Sequence, residues 1–191
     1  GDSAFGPAKA VANFYLGGEV IKLSDVDIDA GGVIARGYIG LSNSFPSQAD
    51  LVFQARPGAF LSAGEVDGRL RLTDAPGQDA ALIAITGRGV RFAGSPYVIR
   101  TLQLGGRGSL ERLPFHVVLD MGGPTPAQFE GDAVYARTDA AQTLTLTGGG
   151  RVRDVEFSTR NPMVLAFAED GRVARVDLSV GGGILMGEMR Q

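Results

Sequence analysis

Residues 87–121, GRGVRFAGSPYVIRTLQLGGRGSLERLPFHVVLDM, decide the fold. Within them Leu102 and Leu104 flank Gln103, and Phe115, Val117 and Leu119 share a parity against His116 and Val118. An apolar period of two is the pattern of a half-buried β-strand. Each run ends at glycine or proline, the residues that punctuate short strands.

The same texture spreads in both directions. Residues 19–30, EVIKLSDVDIDA, set Val26 and Ile28 between Asp25, Asp27 and Asp29; Gly31-Gly32 then turns the chain, and 33–42 runs back as the second half of a hairpin. Residues 43–50 read as a loop around Pro46, and Pro57-Gly58 splits two weaker strands at 51–55 and 59–63. Alternation returns at 65–73, 81–86, 89–92, 128–137, 142–147, 151–159, 163–168, 172–180 and 184–190, with Asn161-Pro162 as a break. Only residues 7–16, PAKAVANFYL, carry helix signals: proline in the first turn and Gly17-Gly18 as a stop. A loose repeat links GRVRDVEF at Gly150 to GRVARVDL at Gly171, with GRGVRF at Gly87 a weaker copy. The spacing suggests one hairpin per repeat.

These readings predict an all-β chain of roughly a dozen short antiparallel strands, whose apolar face would be buried in a closed barrel, in a sandwich, or in a long sheet curled around an apolar groove. A short N-terminal helix would occupy the segment 1–18, and a single all-β domain would span 19–191. The chain has 191 residues, enough for one domain with a core. Its 29 glycines suit many tight turns, and the absence of Trp leaves a core of Leu, Val, Ile and Ala. A net charge of −3, with lysine only at Lys9 and Lys22, argues against nucleic acid as a partner. The absence of cysteine excludes disulfides and thiolate metal sites. No apolar run approaches a membrane-spanning length, and no basic segment precedes an apolar stretch at the N-terminus. The abrupt start at Gly1 and the end at Gln191, directly after a strand-like run, give the expectation of a piece excised from a longer protein.

Candidate chemistry does not assemble. Asp25, Asp27 and Asp29 begin like a calcium loop, but Ala30 stands where glycine is required and Arg36 where an acidic ligand is required. His116 is the only histidine, and no G-x-S-x-G presents a serine to it. The glycine runs at 148–150 and 181–183, and Gly106 with Gly108, lack the Lys-Ser/Thr of a phosphate loop and read as turns or bulges. The expectation is a non-enzyme without metal or cofactor. A hydrolase would need an acid–base pair brought together in space.

The strings LRLTDAPG, VIRTLQLGGRGSLERLPFHVVLDMGG, FEGDAVYARTDAAQTLTLTGGGRVRDVEF and AEDGRVARVDLSVGGG resemble the repeat-bearing parts of the bacterial AsmA-like superfamily. The likeness is greatest to its TamB- and YdbH-type members. It covers about residues 65–190 and, more weakly, 19–42. The resemblance implies a β-taco-like periplasmic groove in an intermembrane phospholipid-transport or outer-membrane biogenesis protein. It also implies a parent chain anchored in the inner membrane of a Gram-negative bacterium, with a BamA-like outer-membrane barrel or another envelope protein as partner. On that reading phospholipid acyl chains would run along Leu70, Leu72, Ile83, Ile85, Leu102, Leu104, Phe115, Val117, Leu119, Leu144, Leu146, Phe157, Leu165, Phe167, Leu178 and Val180. The alternatives are a structural or adhesive β-domain with a filled core that binds a protein partner, and a small closed barrel with one ligand. An open groove predicts free edge strands at 19–30 or 184–190 that can pair between copies.

Overall fold

The computed structural model describes residues 8–17, 20–42, 45–73, 80–109, 111–138, 141–168 and 171–190. These form one antiparallel sheet of 14 strands. In chain order they are β1 (Ala8–Gly17), β2 (Val20–Ala30), β3 (Val33–Ser42), β4 (Phe45–Ala55), β5 (Leu61–Leu72), β6 (Ala81–Phe92) and β7 (Val98–Gly108). There follow β8 (Arg112–Gly122), β9 (Ala127–Arg137), β10 (Ala141–Val152), β11 (Val155–Thr159), β12 (Met163–Ala168), β13 (Gly171–Val180) and β14 (Gly183–Arg190). Each strand pairs with the next in sequence as far as β11, so the sheet is a meander built from hairpins.

One lane is divided. β11 pairs with the end of β10 and β12 with its beginning, both antiparallel to it, and β13 closes over both. β11 and β12 are therefore one strand interrupted at residues 160–162, and the 14 strands occupy 14 − 1 = 13 lanes. Pro162 cannot donate to a ladder, which accounts for the break. Asp177 of β13 fills the gap: its carboxylate accepts from Arg160 Nη1 at 3.2 Å and from the Asn161 amide, and its backbone carbonyl accepts from Arg160 N–H.

The structure corrects several sequence expectations. Residues 8–17 are a strand, not a helix. A short helix has little intrinsic stability, whereas Val11, Phe14 and Tyr15 suit a pleated surface and β2 supplies a partner. The expected loop at 43–50 is largely β4, paired with β3 from Phe45 onward. Gly106 and Gly108 lie inside β7, and the glycine run 148–150 lies inside β10, whose turn falls at Arg153-Asp154 with Arg153 at φ 54°. Gly31-Gly32 and Gly181-Gly182 are hairpin turns as expected, all four at positive φ. The repeat is not structural: GRVRDVEF crosses the β10–β11 hairpin, while GRVARVDL lies within β13. The N-terminal edge is β1, so β2 at 20–30 is an interior strand; β14 is the other free edge among the described residues.

Little of this sheet is buried. Among the described residues the buried apolar side chains are Ala49, Leu61, Leu72, Ala80, Ala81, Val90 and Ala133, and four of those seven are alanines. Ala49, Leu72 and Ala81 form a small cluster against Ile39, Leu70 and Leu113. The chain exposes 11869 Å², whereas a compact monomer of 19.9 kDa exposes about 8,700 Å².

Candidate functional site: the apolar face

Residues directly opposite one another in an antiparallel ladder share a face. The pairings therefore sort every strand residue onto one of two sides. One row runs through all 13 lanes: Ala8, Ala30, Val33, Ala55, Val66, Gly87, Leu102, Leu119, Phe129, Gly150, Phe157, Val180, Gly183. Every member is apolar or glycine. The next row, from Ile28 through Ala35, Phe53, Gly68, Ile85, Leu104, Val117 and Gly131 to Gly148, has the same character.

All 16 lining residues expected from sequence fall on this face. Leu70 opposes Ile83, and Leu72 opposes Ala81. Phe115 stands beside Gly106 and Ala133, and Ala133 beside Leu146. Leu144 faces Leu165, and Phe167 pairs with Gln142. Leu178 sits opposite Thr159. Most are half-buried; Leu165 and Phe167, near the C-terminal edge, are 43% and 47% exposed.

Sequence parity missed other members. Phe53 lies over Gly68, and Phe129 lies over Gly131 and Gly148, where an added Cβ would come 2.8 and 3.0 Å from its ring. Phe129 also stacks on Phe157 across Gly150, with centroids 6.3 Å apart and planes 8° apart. Phe129 had a signal in the alternation of QFEGDAV; the glycines beneath it had none. Val90, Ile99 and Met121 form a further apolar row. Extra residues at Gly89 (φ 59°) and Arg100 put Val90 and Ile99 out of step with the flanking alternation.

The opposite face is charged and solvated. Asp50 takes Arg69 bidentately at 2.8 and 3.2 Å. Arg56 meets Asp67 at 2.9 Å, Arg36 meets Asp27 at 3.1 Å, and Arg100 meets Asp120 at 3.0 Å. Hydrogen bonding by Asp50 raises the Arg69 guanidinium above its ordinary value, and Asp67 does the same for Arg56. His116 contacts Asp132 through Nδ1 at 2.9 Å, on an exposed strand surface. Asp27 and Asp29 also lie on this side, while Asp25 sits in a bulge at φ 50° and accepts from Asn13. Among the described residues no group of three or more His, Cys, Asp or Glu could hold a metal ion.

On the strands of the apolar face the charges are Arg137 and Arg172, which share a row with Gln142 and Phe167 at one end of the sheet. Arg172 lies 5.9 Å from the Phe167 ring centroid. A hollow of about 720 Å³ at the turn end of β10, β11 and β13 mixes Val155 and Phe157 with Arg151, Asp154 and Glu156. Arg151, Glu156, Ser158 and Ser179 line it from the charged side, and Gly150 and Phe157 of the 13-lane row border it.

No protein-family model, curated protein or solved structure matches the chain. The functional reading therefore rests on the geometry of this face.

Proposed function

We propose that this chain shields lipid acyl chains in an aqueous compartment, as a periplasmic segment of an intermembrane phospholipid-transport or outer-membrane biogenesis protein. The observation that carries the reading is the apolar row that crosses all 13 lanes with little cover. Twelve intervals of about 4.8 Å give a path of about 58 Å. That is about four times the depth of one leaflet's hydrocarbon, half of the ~30 Å core. Four rows at about 7 Å spacing, through Val66, Gly68, Leu70 and Leu72, cross the seven lanes β4 to β10 and make that part of the face about 800 Å² in extent, against about 300–600 Å² for the largest apolar patch of an ordinary monomer.

The chemistry of the face selects its occupant. Aliphatic side chains, phenylalanines and glycines offer neither donors nor acceptors to orient a polar metabolite. An acyl chain needs none. Moving it into water costs about 0.8 kcal/mol per CH₂, and a continuous apolar track lowers that barrier without catalysis, metal or cofactor. The small buried core supports this reading over a filled sandwich, and the edges left free among the described residues support it over a closed barrel. The partners are phospholipid acyl chains and, at the membrane ends of the path, a BamA-like barrel or another envelope protein. The parent chain is held at the inner membrane.

Native mass spectrometry of the purified chain, followed by solvent extraction, tests the proposal. The expected result is phospholipid at defined stoichiometry. An apo mass that persists after incubation with short-chain phospholipids would overturn it.

A further inference from the structure

β1 carries large, exposed apolar residues on both of its faces. Its apolar-face residues include Phe14 and Leu16, yet Val11 and Tyr15 occupy the charged side, opposite Asp27 and Lys22. All four are exposed, at 60%, 63%, 52% and 62% respectively. A strand apolar on both faces is the pattern of a strand covered on both faces. Residues 10–16, AVANFYL, contain no charge, glycine or proline. Natural edges are blunted by lysine, proline or bulges; Lys9 stands at the start of β1, but residues 10–16 carry none of these and run regularly, and the bulge of this pair lies in β2. Seven uncharged residues of this composition on a free edge form a template for another strand.

We infer that β1 pairs with the β1 of a second copy of this chain, joining two sheets into one. The lane count chooses this junction over its rivals. With 13 lanes, β1 and β14 run in the same direction. A head-to-tail joint with both apolar faces on one side would therefore be parallel, unlike every junction between neighbouring strands in the sheet. A twofold axis normal to the sheet sets β1 against its own copy antiparallel and keeps the apolar faces level. β14 is the weaker edge: Glu188 is held by Arg175 and Arg190, and its uncharged run, residues 183–187, is shorter than that of β1 and includes two glycines. In a register pairing residue i with 26 − i, Val11 of one copy stands beside Tyr15 of the other, and each covers the other's apolar surface on the charged side.

This inference does not depend on lipid binding, so delipidated full chain is the material to use. Sedimentation velocity over a wide concentration series should give a monomer–dimer equilibrium. V11K/Y15K sets lysines opposite one another and should abolish the dimer, while I184K/M186K should leave it intact, with unchanged circular dichroism in both. An equimolar mixture of V11K/Y15K and V11E/Y15E should restore it, which guards against a variant that merely unfolds. Monomer at every concentration would overturn the inference. So would a dimer that survives V11K/Y15K, one lost only in I184K/M186K, or one lost in both, the last being the signature of a head-to-tail joint.

Discussion

Leu104→Glu tests the apolar track at its middle. Leu104 is half-buried, in a row between Ile85 and Val117, with water on its outer side. A carboxylate there keeps its hydration and denies an acyl chain the neighbouring lane on either side, a span of about 10 Å. About eight CH₂ groups cross that span, each losing about half of its ~0.8 kcal/mol transfer because the sheet covers one side only, so the loss is about 3 kcal/mol, or about 100-fold in affinity. The control is Gln103→Glu, one residue away on the exposed charged face, which adds the same charge to the same strand. Titration with a fluorescent long-chain fatty acid at two salt concentrations reads the difference, and thermal melts verify that both variants fold. Leu146→Glu should behave like Leu104→Glu, and charge reversal at Arg71 or Arg153 like the control. Equal losses at Leu104 and Gln103 would refute the assignment of the track to this face.

Three further outcomes follow from particular contacts. Gly150→Val should destabilise by about 3 kcal/mol or more, because its Cβ would fall on the Gln128 carbonyl oxygen, whereas Gly187→Val meets open space and should change the melting midpoint little. Asp177→Ala should cost about 1–3 kcal/mol and speed amide exchange at Arg160, since that carboxylate is only 15% exposed and holds the broken lane; Asp132→Ala, at an exposed contact, should cost less than about 0.5 kcal/mol. Glu188 should titrate below its ordinary value because Arg190, then Arg175, stabilise its charge. A lowered carboxyl contributes stability that is present above the unfolded value and lost as pH falls through the folded one, so Arg190→Ala should raise the Glu188 midpoint in an NMR titration.

The period-two runs around Leu102, Phe115 and Leu144 made the sheet and one of its faces legible, because alternation records which side of a strand meets water. What escaped depended on partners distant in sequence. The segment at 8–17 carries proline and glycine boundaries that suit a helix, and only β2 makes it a strand. Gly148 and Gly150 resemble a turn until Phe129 and Phe157 are seen lying across them. The loop reading around Pro46 gave too much weight to one residue, since the lane beside β3 carries the strand through it. That the apolar side would remain half open was expected as a groove only beside filled-core and closed-barrel alternatives, because cover is a property of layers and not of strands.

The sheet has a reading frame of two, and its irregularities respect it. The interruption in the divided lane carries the chain from Thr159 to Met163, an even step, so Phe157 and Leu165 emerge on the same side. At the bulge in β2 one extra residue shifts the frame, and the apolar residues shift with it, from Ile21 and Leu23 to Val26 and Ile28. An insertion of two residues at a hairpin tip or at the break would leave everything downstream in phase. A single residue inserted within a strand would turn every side chain beyond it to the wrong side until a compensating bulge restored the phase. Tolerance to insertion in this protein should therefore alternate with parity, as it does in a coding sequence with its triplets.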